Sequence, residues 1–205
     1  EAQVAETEKI YESQLESLVA VDRLVEDVVN ELERQGELDD TLVVFTSDHG
    51  FLLGQHRIQF GKSALYEEAI RIPLIVRGPG FPSGVRDQEL VANVDIAPTI
   101  IELTEAQPDI QLDGVSLASP VPKEGRRSRP ILLEVFGRSA GKFVGLRTPR
   151  YAYARYSGGT RQLFDLRRDP HQLESVHNDP EYVGVRRALH SVLLSMLDCE
   201  GATCR

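Results

Sequence analysis

The feature that most constrains the fold is a short apolar run, residues 42–45, that ends in the polar sequence Ser47-Asp48-His49-Gly50. An apolar run without polar alternation predicts a strand buried on both faces, as in a parallel or mixed sheet that helices cover. In open α/β sheets, ligands bind just beyond the carboxyl ends of the strands. Asp48 and His49 stand at that point and offer an oxygen and a nitrogen to one metal ion or substrate, while Gly50 lets the backbone turn away. The alternative is that Asp48 caps a turn and His49 is an ordinary loop residue.

The composition is that of an ordinary globular chain. It has 205 residues, of which 41% are hydrophobic and 27% charged, and this length is enough for one domain with an appendage. No apolar stretch reaches the roughly 18 residues that a membrane span requires. The chain begins with Glu1 rather than Met, so we expect it to be a piece of a longer protein, and the missing targeting segment carries no information.

The net charge of −9 is concentrated near the N-terminus. Residues 1–40 contain 13 acidic and 3 basic residues, so this segment alone carries −10 and the remainder +1. We attribute the acidity to the solvated face of a helix rather than to a repulsive field around the Asp48–His49 turn. No basic stripe with interleaved aromatic residues is present, and the sequence therefore predicts no nucleic-acid partner.

Residues 6–35 predict one long amphipathic helix. Apolar side chains recur at three- and four-residue steps on one face, and Gly36 is a natural C-terminal stop. Asp22 lies in the middle of this apolar stripe, where an unpaired carboxylate would be costly to bury. We therefore predict that Asp22 is largely buried and bonded to backbone N–H groups or an arginine, and a role in the site is the alternative. The stripe consists of Tyr11, Leu15, Leu18, Val25, Val29 and Leu32.

Further helices and strands are predicted along the chain up to residue 105. Pro73 stands near the start of the second apolar strand, where a missing donor is tolerated. Asp95 is interpreted as the N-cap of the helix that follows it, and His56 and Lys62 lie in a loop. The predicted elements are a loop at 51–63, a short helix at 65–69, strands at 72–76 and 90–94, and a helix at 96–105.

The C-terminal part predicts a small subdomain of its own. Residues 106–130 are rich in proline and glycine and indicate a boundary, so we divide the chain into residues 1–118 and 119–205. Beyond the boundary, short strands separated by turns predict an antiparallel meander. A helix at 180–197 closes it, and His190 on that helix is interpreted as structural. The strands are expected at 131–136, 142–147, 151–156 and 162–165.

Cys199 and Cys204 are the only cysteines of the chain. They lack a nearby histidine that would complete a zinc site. A disulfide bond around the intervening glycine is the better prediction, and it implies an oxidising compartment.

An ordered series of motifs resembles the second half of type I sulfatases. A Ser-Asp-His-Gly sequence alone is a weak signal, whereas the complete series in this order is specific, and it runs through most of the chain. The two cysteines near the C-terminus are most similar to the glucosamine-6-sulfatase-like branch. The series comprises TSDHG (46–50), LGQH (53–56), GK (61–62), YEE (66–68), RIPLIVRGPG (71–80), VDIAPT (94–99), DGVSL (113–117), LFDL (163–166) and DP (169–170).

The resemblance implies an α/β fold, part of an alkaline-phosphatase-like sandwich with a small C-terminal antiparallel sheet and a closing helix. It implies hydrolysis of sulfate esters, including those of sulfated glycans, at a formylglycine made from Cys or Ser. Asp48 and His49 match positions that hold Ca²⁺ and the sulfate, Lys62 matches the lysine that binds a sulfate oxygen, and His56 is placed in the substrate pocket. The metal and the ammonium would offset charge that develops on the transferring group. A secreted, periplasmic or lysosomal enzyme is expected.

One departure from the family pattern concerns the nucleophile. The family carries it in a Cys/Ser-x-Pro/Ala-x-Arg signature beside an Asp-Asp metal pair, and neither Cys199 nor Cys204 stands in such a signature. We therefore expect the catalytic N-terminal half to lie upstream of Glu1 or to be absent. We expect that residues 1–205 alone do not hydrolyse sulfate esters and bind calcium only weakly. We also expect copies of this chain to associate through exposed apolar surface.

Two alternatives stay open. An Asp-His pair also suits zinc or manganese, so a metallophosphodiesterase or phosphonate monoester hydrolase of the same superfamily is one of them. Such zinc enzymes need further histidines downstream, and His171, His177 and His190 lie in regions that we interpret as peripheral. The other alternative is a non-catalytic remnant that acts as a binding module.

Overall fold

A computed structural model describes residues 2–118, 129–136 and 142–204 of the chain. The chain divides into two compact units, one of Glu1–Lys62 with Glu68–Gly84 and one of Ser63–Glu67 with Val85–Arg205. The division predicted between residues 118 and 119 adjoins a segment outside the described residues, and it stays a prediction.

The first unit begins with α1, a 34-residue helix over Ala2–Gln35. Gly36 follows it with a left-handed φ of 75°, and the Glu37 N–H donates to the Leu32 carbonyl oxygen at 2.9 Å. A residue without Cβ adopts this backbone conformation at no steric cost, which is why helices so often end at glycine. The predicted helix and its stop at Gly36 are therefore confirmed.

Asp22 is exposed, and the prediction that it is buried is wrong. No residue of α1 is buried, so the stripe around Asp22 faces solvent rather than a core. A carboxylate in water keeps its hydration and needs no protein partner. The periodicity thus located the helix but not what covers it. The large apolar residues exposed on α1 are Val4, Tyr11, Leu15, Leu18, Val19, Val21, Leu24, Val25 and Val28.

Two strands of the first unit form an antiparallel pair. β1 spans Val43–Thr46 and β2 spans Leu74–Arg77, with Val44 opposite Val76 in the register. The residues of β1 are half-buried or exposed, so the predicted burial of this strand on both faces is not observed. Within the part of the chain that the structure describes, β1 pairs with β2 alone, which leaves its other edge and part of its faces open.

The second unit contains a four-stranded antiparallel sheet with the strands in chain order. Each strand pairs with the next one along the chain, so short turns suffice to connect them. This arrangement confirms the predicted meander. The strands are β3 (Ile131–Val135), β4 (Phe143–Arg147), β5 (Tyr151–Tyr156) and β6 (Arg161–Asp165).

The two faces of this sheet belong to two apolar clusters. On one face, Tyr153 and Leu163 pack with the C-terminal helix, which spans Val183–Met196 and is α4 here. On the other face, Ala154 packs in a cluster with Leu65. Successive residues of a strand point to opposite faces, which explains why neighbours on β5 contribute to different clusters. The predicted closing helix is confirmed.

Polar contacts fix the segment Ser63–Glu67 within the second unit. The side-chain amide of the buried Gln172 donates to the Leu65 carbonyl oxygen at 3.1 Å and accepts from the Glu67 N–H at 2.7 Å. The Glu67 carboxylate accepts two hydrogen bonds from the Arg147 guanidinium, at 2.7 and 3.2 Å. A bidentate pair of this kind restricts orientation as well as distance. The short helix α2, Glu67–Ile70, follows directly.

Helix α3 spans Ile96–Thr104, which confirms the predicted helix to within one residue. The strand predicted at 90–94 is wrong, because Asn93–Asp95 form a 3₁₀ turn and residues 90–92 have no regular structure. The Asp95 carboxylate accepts a hydrogen bond from the Ala92 N–H at 2.9 Å. Such a local bond offers the backbone an alternative to an extended strand.

Asp95 is the N-cap residue of α3, as predicted, but its side chain makes no capping hydrogen bond to that helix. Its buried carboxylate accepts instead from the Val115 N–H at 2.8 Å and from Nη2 of Arg129 at 2.6 Å. Asp95 therefore joins the turn before α3 to two distant segments of the second unit. The interpretation that Asp95 is structural stands, although the partners differ from those of a helix cap.

Cys199 and Cys204 form the predicted disulfide bond. Gly201 lies inside the loop that it closes, with a left-handed φ of 57°, and the Gly201 N–H donates to the Asp113 carboxylate at 2.7 Å. A glycine tolerates this conformation where other residues are strained. In the described residues, no helix has both the length and the apolar character to cross a membrane.

Asp165 on β6 carries a shifted pKa. Its buried carboxylate accepts from Nη2 of Arg150 at 2.6 Å and from the Tyr182 hydroxyl at 3.1 Å. The hydrogen bond from Arg150, together with those from Tyr182 and the Arg167 N–H, holds the pKa of Asp165 below its usual value, although burial opposes this shift.

Replacing Asp165 with asparagine is expected to lower the free energy of unfolding by about 1–2 kcal/mol at pH 7. This expected loss is smaller than for a fully buried ion pair, because solvent screens the partly exposed Arg150 guanidinium. The pKa of Asp165 is lower in the folded than in the unfolded protein, where it is about 4. The stability that ionised Asp165 contributes is therefore fully present above about pH 4 and is lost as the pH falls through the pKa of the folded protein. Urea unfolding from pH 7 to pH 2 measures it, with the exposed Asp198→Asn as control. A difference from wild type that does not shrink in acid would contradict the prediction.

Candidate functional site

The candidate site begins in the turn that follows β1. The His49 N–H donates to Oδ1 of Asp48 at 2.9 Å, and the Ser47 hydroxyl donates to the His49 carbonyl oxygen at 3.0 Å. Aspartate and serine side chains commonly replace backbone partners in such turns. The result is a compact turn at the end of β1 that presents the Asp48 carboxylate to solvent, with four-fifths of the side chain exposed.

Gly50 is required for close packing rather than for an unusual turn. Its φ is not left-handed, so the sharp turn expected at this position is not the reason for a glycine. The Gly50 N–H donates to the Ala69 carbonyl oxygen at 2.9 Å, and a Cβ at this position would overlap with the Glu68 carbonyl oxygen. The backbone of the turn therefore lies directly against α2.

The imidazole of His49 is oriented by hydrogen bonds on both ring nitrogens. Nδ1 lies 2.8 Å from the Gly50 carbonyl oxygen, and Nε2 lies 2.6 Å from Nζ of Lys62. A carbonyl oxygen only accepts and an ammonium only donates. Nδ1 therefore carries the proton, and Nε2 offers its lone pair. A partner on the second nitrogen is the usual way in which proteins orient a histidine for ligation.

Asp48, His49 and Lys62 are brought together as the sequence predicts. Oδ2 of Asp48 lies 3.2 Å from Nε2 of His49, the same atom that accepts from Lys62. The hydrogen bond from the His49 N–H is the largest cause of the lowered pKa of Asp48, and the charge of Lys62 acts in the same direction, against the effect of burial. A carboxylate, an imidazole lone pair and an ammonium thus converge on one point.

Lys62 is positioned by a loop that closes on itself. The Leu52 N–H donates to the Gly61 carbonyl oxygen at 2.7 Å, and the Gly61 N–H donates back at 3.3 Å. Leu52 is fully buried and anchors the loop. Because Lys62 immediately follows this bridge, its ammonium returns to the turn at His49. The loop therefore brings Lys62 close to His49, although the two residues are 13 positions apart in the sequence.

His56 and Arg57 at the tip of this loop have left-handed backbone conformations, with φ of 53° and 59°. Residues with a Cβ adopt this region at a cost of order 1 kcal/mol or more each, and such strain is often found at functional sites. The His56 side chain is only 8% exposed, and its Nε2 lies 3.5 Å from Oε2 of Glu68. Sequence reasoning missed Glu68 as this partner, and no spacing in the sequence indicates the pair.

The described residues fit part of a divalent-cation shell. Asp48 offers carboxylate oxygens and His49 the Nε2 lone pair, a donor set that suits several divalent metals. Calcium normally collects six to eight oxygen ligands. Residues 2–118, 129–136 and 142–204 contain no group of three or more His, Cys, Asp or Glu that could hold a metal ion. A cation held by Asp48 and His49 would therefore need ligands in addition to these two residues.

Replacing Gly50 with alanine is expected to lower the free energy of unfolding by about 2 kcal/mol, because the new methyl group would overlap with a backbone carbonyl that cannot rotate away. Gly158→Ala is the matched control, since a Cβ there has open space. Urea unfolding compares the two variants, and NMR of the His49 ring reports whether its hydrogen bonds persist. Equal stability of the two variants would show that the turn does not pack tightly on α2.

Comparison with known proteins gives matches to two family models. The first, described as Sulfatase, matches residues 1–106. The second, described as N-sulphoglucosamine sulphohydrolase, C-terminal, matches residues 54–198. The two matches overlap over residues 54–106 and together cover both units of the chain.

Individual relatives match at moderate identity. The chain is 31% identical over 230 residues to N-acetylglucosamine-6-sulfatase of Bos taurus, covering 93% of this chain and 40% of that protein. Its structure is similar to phosphonate monoester hydrolase of Agrobacterium radiobacter, with a TM-score of 0.76, 29% identity, and 86% and 38% of the two chains covered. It is also similar to BT4656 in complex with D-glucosamine-2-N,6-O-disulfate, with a TM-score of 0.72, 27% identity, and 86% and 38% covered. The chain thus spans less than half of the length of each of these proteins.

Proposed function

Because the chain belongs to the type I sulfatase family, we propose that it is the C-terminal part of an enzyme that hydrolyses sulfate esters of sulfated sugars. N-acetylglucosamine-6-sulfatases are among its relatives, and one similar structure contains a disulfated glucosamine. The observation that carries the proposal is the convergence of Asp48 and Lys62 on Nε2 of His49.

In this proposal, Asp48 and His49 hold part of the metal shell. The Nδ1–H bond to Gly50 keeps Nε2 available as a ligand, and the lowered pKa keeps Asp48 ionised at neutral pH. Ca²⁺ bound there would offset negative charge on the sulfate group. The other ligands and the formylglycine nucleophile would belong to the N-terminal half, the partner that this chain requires.

Lys62 is proposed as the residue that binds a sulfate oxygen. Its ammonium is the only cationic side chain that contacts His49 among the described residues. A metal on Nε2 would displace this ammonium from the lone pair, because both compete for the same electrons. Lys62 would then be available to donate to an oxygen of the sulfate and to stabilise negative charge in the transition state.

His56 is proposed to line the substrate pocket, with Glu68 as the residue that orients it. The strained backbone at the loop tip and the Glu68 contact together restrict the ring. An oriented histidine contributes more to binding than a mobile one, because less conformational freedom is lost when the substrate arrives. His56→Ala should therefore raise KM more than it lowers kcat.

A second candidate is hydrolysis of phosphonate monoesters. Two phosphonate monoester hydrolases are among the similar structures, those of Agrobacterium radiobacter and Silicibacter pomeroyi. A metal-bound aspartate and histidine with an adjacent lysine would suit a phosphonate group as well as a sulfate. A third candidate is a non-catalytic binding module.

We also propose the organisation and location of the whole protein. Residues 1–118 would complete the catalytic α/β domain, and residues 119–205 would form its C-terminal subdomain. The bonded Cys199 and Cys204 favour a secreted, periplasmic or lysosomal protein.

Complementation tests these proposals. Residues 1–205 are mixed with the proposed N-terminal half, in which the formylglycine has formed, and turnover of 4-nitrocatechol sulfate is measured with and without calcium. Sulfatase turnover by the mixture, and none by residues 1–205 alone, is the expected result. Faster turnover of a phosphonate monoester than of the sulfate ester would favour the second candidate. No turnover of either ester would favour the binding module.

A further inference from the structure

Two arginines lie directly opposite each other on neighbouring strands of the second unit. Arg155 on β5 pairs with Arg161 on β6 in the register, so both side chains extend from the same face of the sheet. Like charges at directly opposed positions destabilise an antiparallel pair. Among the described residues, neither arginine forms an ion pair with a carboxylate. No carboxylate of the described residues therefore compensates the repulsion between them.

More basic groups stand on the same side of the sheet. The Tyr153 hydroxyl lies 3.4 Å from Nδ1 of His190 on α4. The Tyr153 ring stacks with His177 at 6.3 Å between centroids, and Arg186, one helical turn before His190, donates to the His177 carbonyl oxygen at 2.5 Å. The basic cluster, as defined here, consists of Arg155, Arg161, Arg186 and His190.

The charges of the cluster act on one another. Burial, followed by the positive charges of Arg155 and Arg161, lowers the pKa of His190. Burial, followed by Arg186 and Arg161, lowers the pKa of His177 in the same way. The arginines are thus close enough to disfavour additional positive charge at both histidines. A position of this kind has a positive potential that attracts an anion.

The nearest carboxylate on the same face of the sheet does not neutralise the cluster. Glu134 on β3 lies opposite Val144, which in turn lies opposite Arg155. One strand therefore separates the glutamate from the nearest arginine, roughly 10 Å between backbones. Glu134 is exposed and forms no ion pair within the described ranges. Within the described residues, Arg155 and Arg161 therefore keep donors available for another acceptor.

The other end of the same face contains a carboxylate. There Asp165 lies opposite Tyr151, and its carboxylate pairs with Arg150 at 2.6 Å. Arg168 is also close, since it donates to the Tyr182 hydroxyl, which in turn donates to Asp165. The arginines at the Tyr151 end therefore share a carboxylate partner, whereas Arg155 and Arg161 have none among the described residues. Because folding alone gains nothing from an opposed pair of arginines, an added anion would be most favourable at the Arg155 end.

We propose that the basic cluster binds a sulfate group of a sulfated sugar chain, through residues other than Asp48, His49 and Lys62. Guanidinium groups present several N–H donors in a plane and bind tetrahedral oxyanions with two bonds at a time. Arg161 is exposed, whereas Arg155, Arg186 and His190 are half-buried, so a group carried on a chain can reach the cluster from solvent. The choice of a sugar-borne sulfate rests on the proposed function, whereas the preference for an oxyanion rests on the cluster alone.

Calorimetry with the full chain tests the proposal. A heparin-derived hexasaccharide is titrated into the Lys62→Ala variant, which removes the sulfate contact of the first site. Saturable binding is expected, and Arg155→Gln and Arg161→Gln should each weaken it about tenfold. The matched control is Arg23→Gln, which removes the same charge from α1 and should change the affinity less than twofold. Both cluster variants relieve repulsion and should fold at least as well as wild type.

A second measurement locates the ligand. Sodium sulfate at constant ionic strength should shift the NMR signals of the arginine Nε–H groups in the cluster and raise the pKa of His190, because an anion offsets Arg155 and Arg161. Arg155→Lys keeps the charge but loses the planar donors, and it should bind the hexasaccharide with intermediate affinity.

Three results would overturn the proposal. One is the absence of saturable binding, and another is a cluster variant that binds within twofold of Lys62→Ala alone. The third is equal binding of a charge-matched oligodeoxynucleotide, which would indicate general attraction of polyanions. These outcomes are independent of turnover in the complementation assay. A chain that binds through the cluster yet supports no hydrolysis would therefore refute only the proposed function.

Discussion

Replacing Lys62 with alanine is expected to reduce the turnover of sulfate esters by the complemented enzyme by about 10²–10³-fold, the usual cost of removing one donor that stabilises a developing negative charge. The Lys62 ammonium is in position for this role, because it lies 2.6 Å from Nε2 of His49 and its charge acts on the Asp48 carboxylate. The loss should appear mainly in kcat, since the interaction strengthens in the transition state. Steady-state kinetics at saturating calcium measure it.

Two companion variants make the Lys62 result interpretable. Lys142→Ala removes an exposed lysine just before β4 and should leave turnover unchanged. Lys62→Arg keeps the charge but changes its shape, and it should recover part of the activity. If Lys62→Ala turned over substrate within threefold of the unmodified enzyme, Lys62 would have no role in binding the transferring group.

Replacing Asp95 with asparagine is expected to lower the free energy of unfolding by about 3 kcal/mol or more. The Asp95 carboxylate and the Arg129 side chain are 1% and 6% exposed and lie 2.6 Å apart. Removal of one partner leaves a buried charge without compensation, which is typically far more costly than the net value of the pair. Asp95 also accepts from the Ala92 and Val115 N–H groups, so the variant loses local order as well. Urea unfolding followed by circular dichroism measures the change.

The double variant Asp95→Leu with Arg129→Met separates the charge from the shape of the site. Apolar replacement of both partners of a buried pair is often tolerated, so this variant should be more stable than Asp95→Asn. The exposed Asp109→Asn is the matched control for the loss of one carboxylate. If Asp95→Asn lowered the free energy of unfolding by less than 1 kcal/mol, water would have access to the Asp95–Arg129 pair, and the pair would contribute little to stability.

The adjacency of Asp48 and His49 after an apolar run made these two residues candidates for a site from the sequence alone. Two ligands that are neighbours in the chain remain neighbours in any fold, so the sequence alone places a carboxylate and an imidazole together. The partner atoms were not predictable in the same way. The Nδ1–H bond that selects the tautomer of His49, and the close packing of Gly50 on α2, depend on where α2 lies.

Contacts between distant residues account for what sequence reasoning missed or misplaced. The ion pair of Asp95 with Arg129 joins positions 34 residues apart, and no local pattern indicates it. The prediction that Asp22 is buried was wrong for a related reason. Periodicity indicates which face of a helix is apolar, but not whether other residues cover that face. Burial is a property of the surroundings, and the surroundings of α1 leave none of its described residues buried.

By itself, the sequence determined the elements whose causes are local. Apolar periodicity over residues 6–35 and the conformational freedom of Gly36 specify α1 and its end. Short strands that follow one another closely along the chain specify the meander. Only the tertiary structure decided the register that opposes Arg155 to Arg161 and the loop closure that returns Lys62 to His49. The physical reason is that backbone propensity acts within a few residues. Register, burial and ion pairing are instead set by the free energy of the whole fold, which brings together residues that the sequence keeps apart.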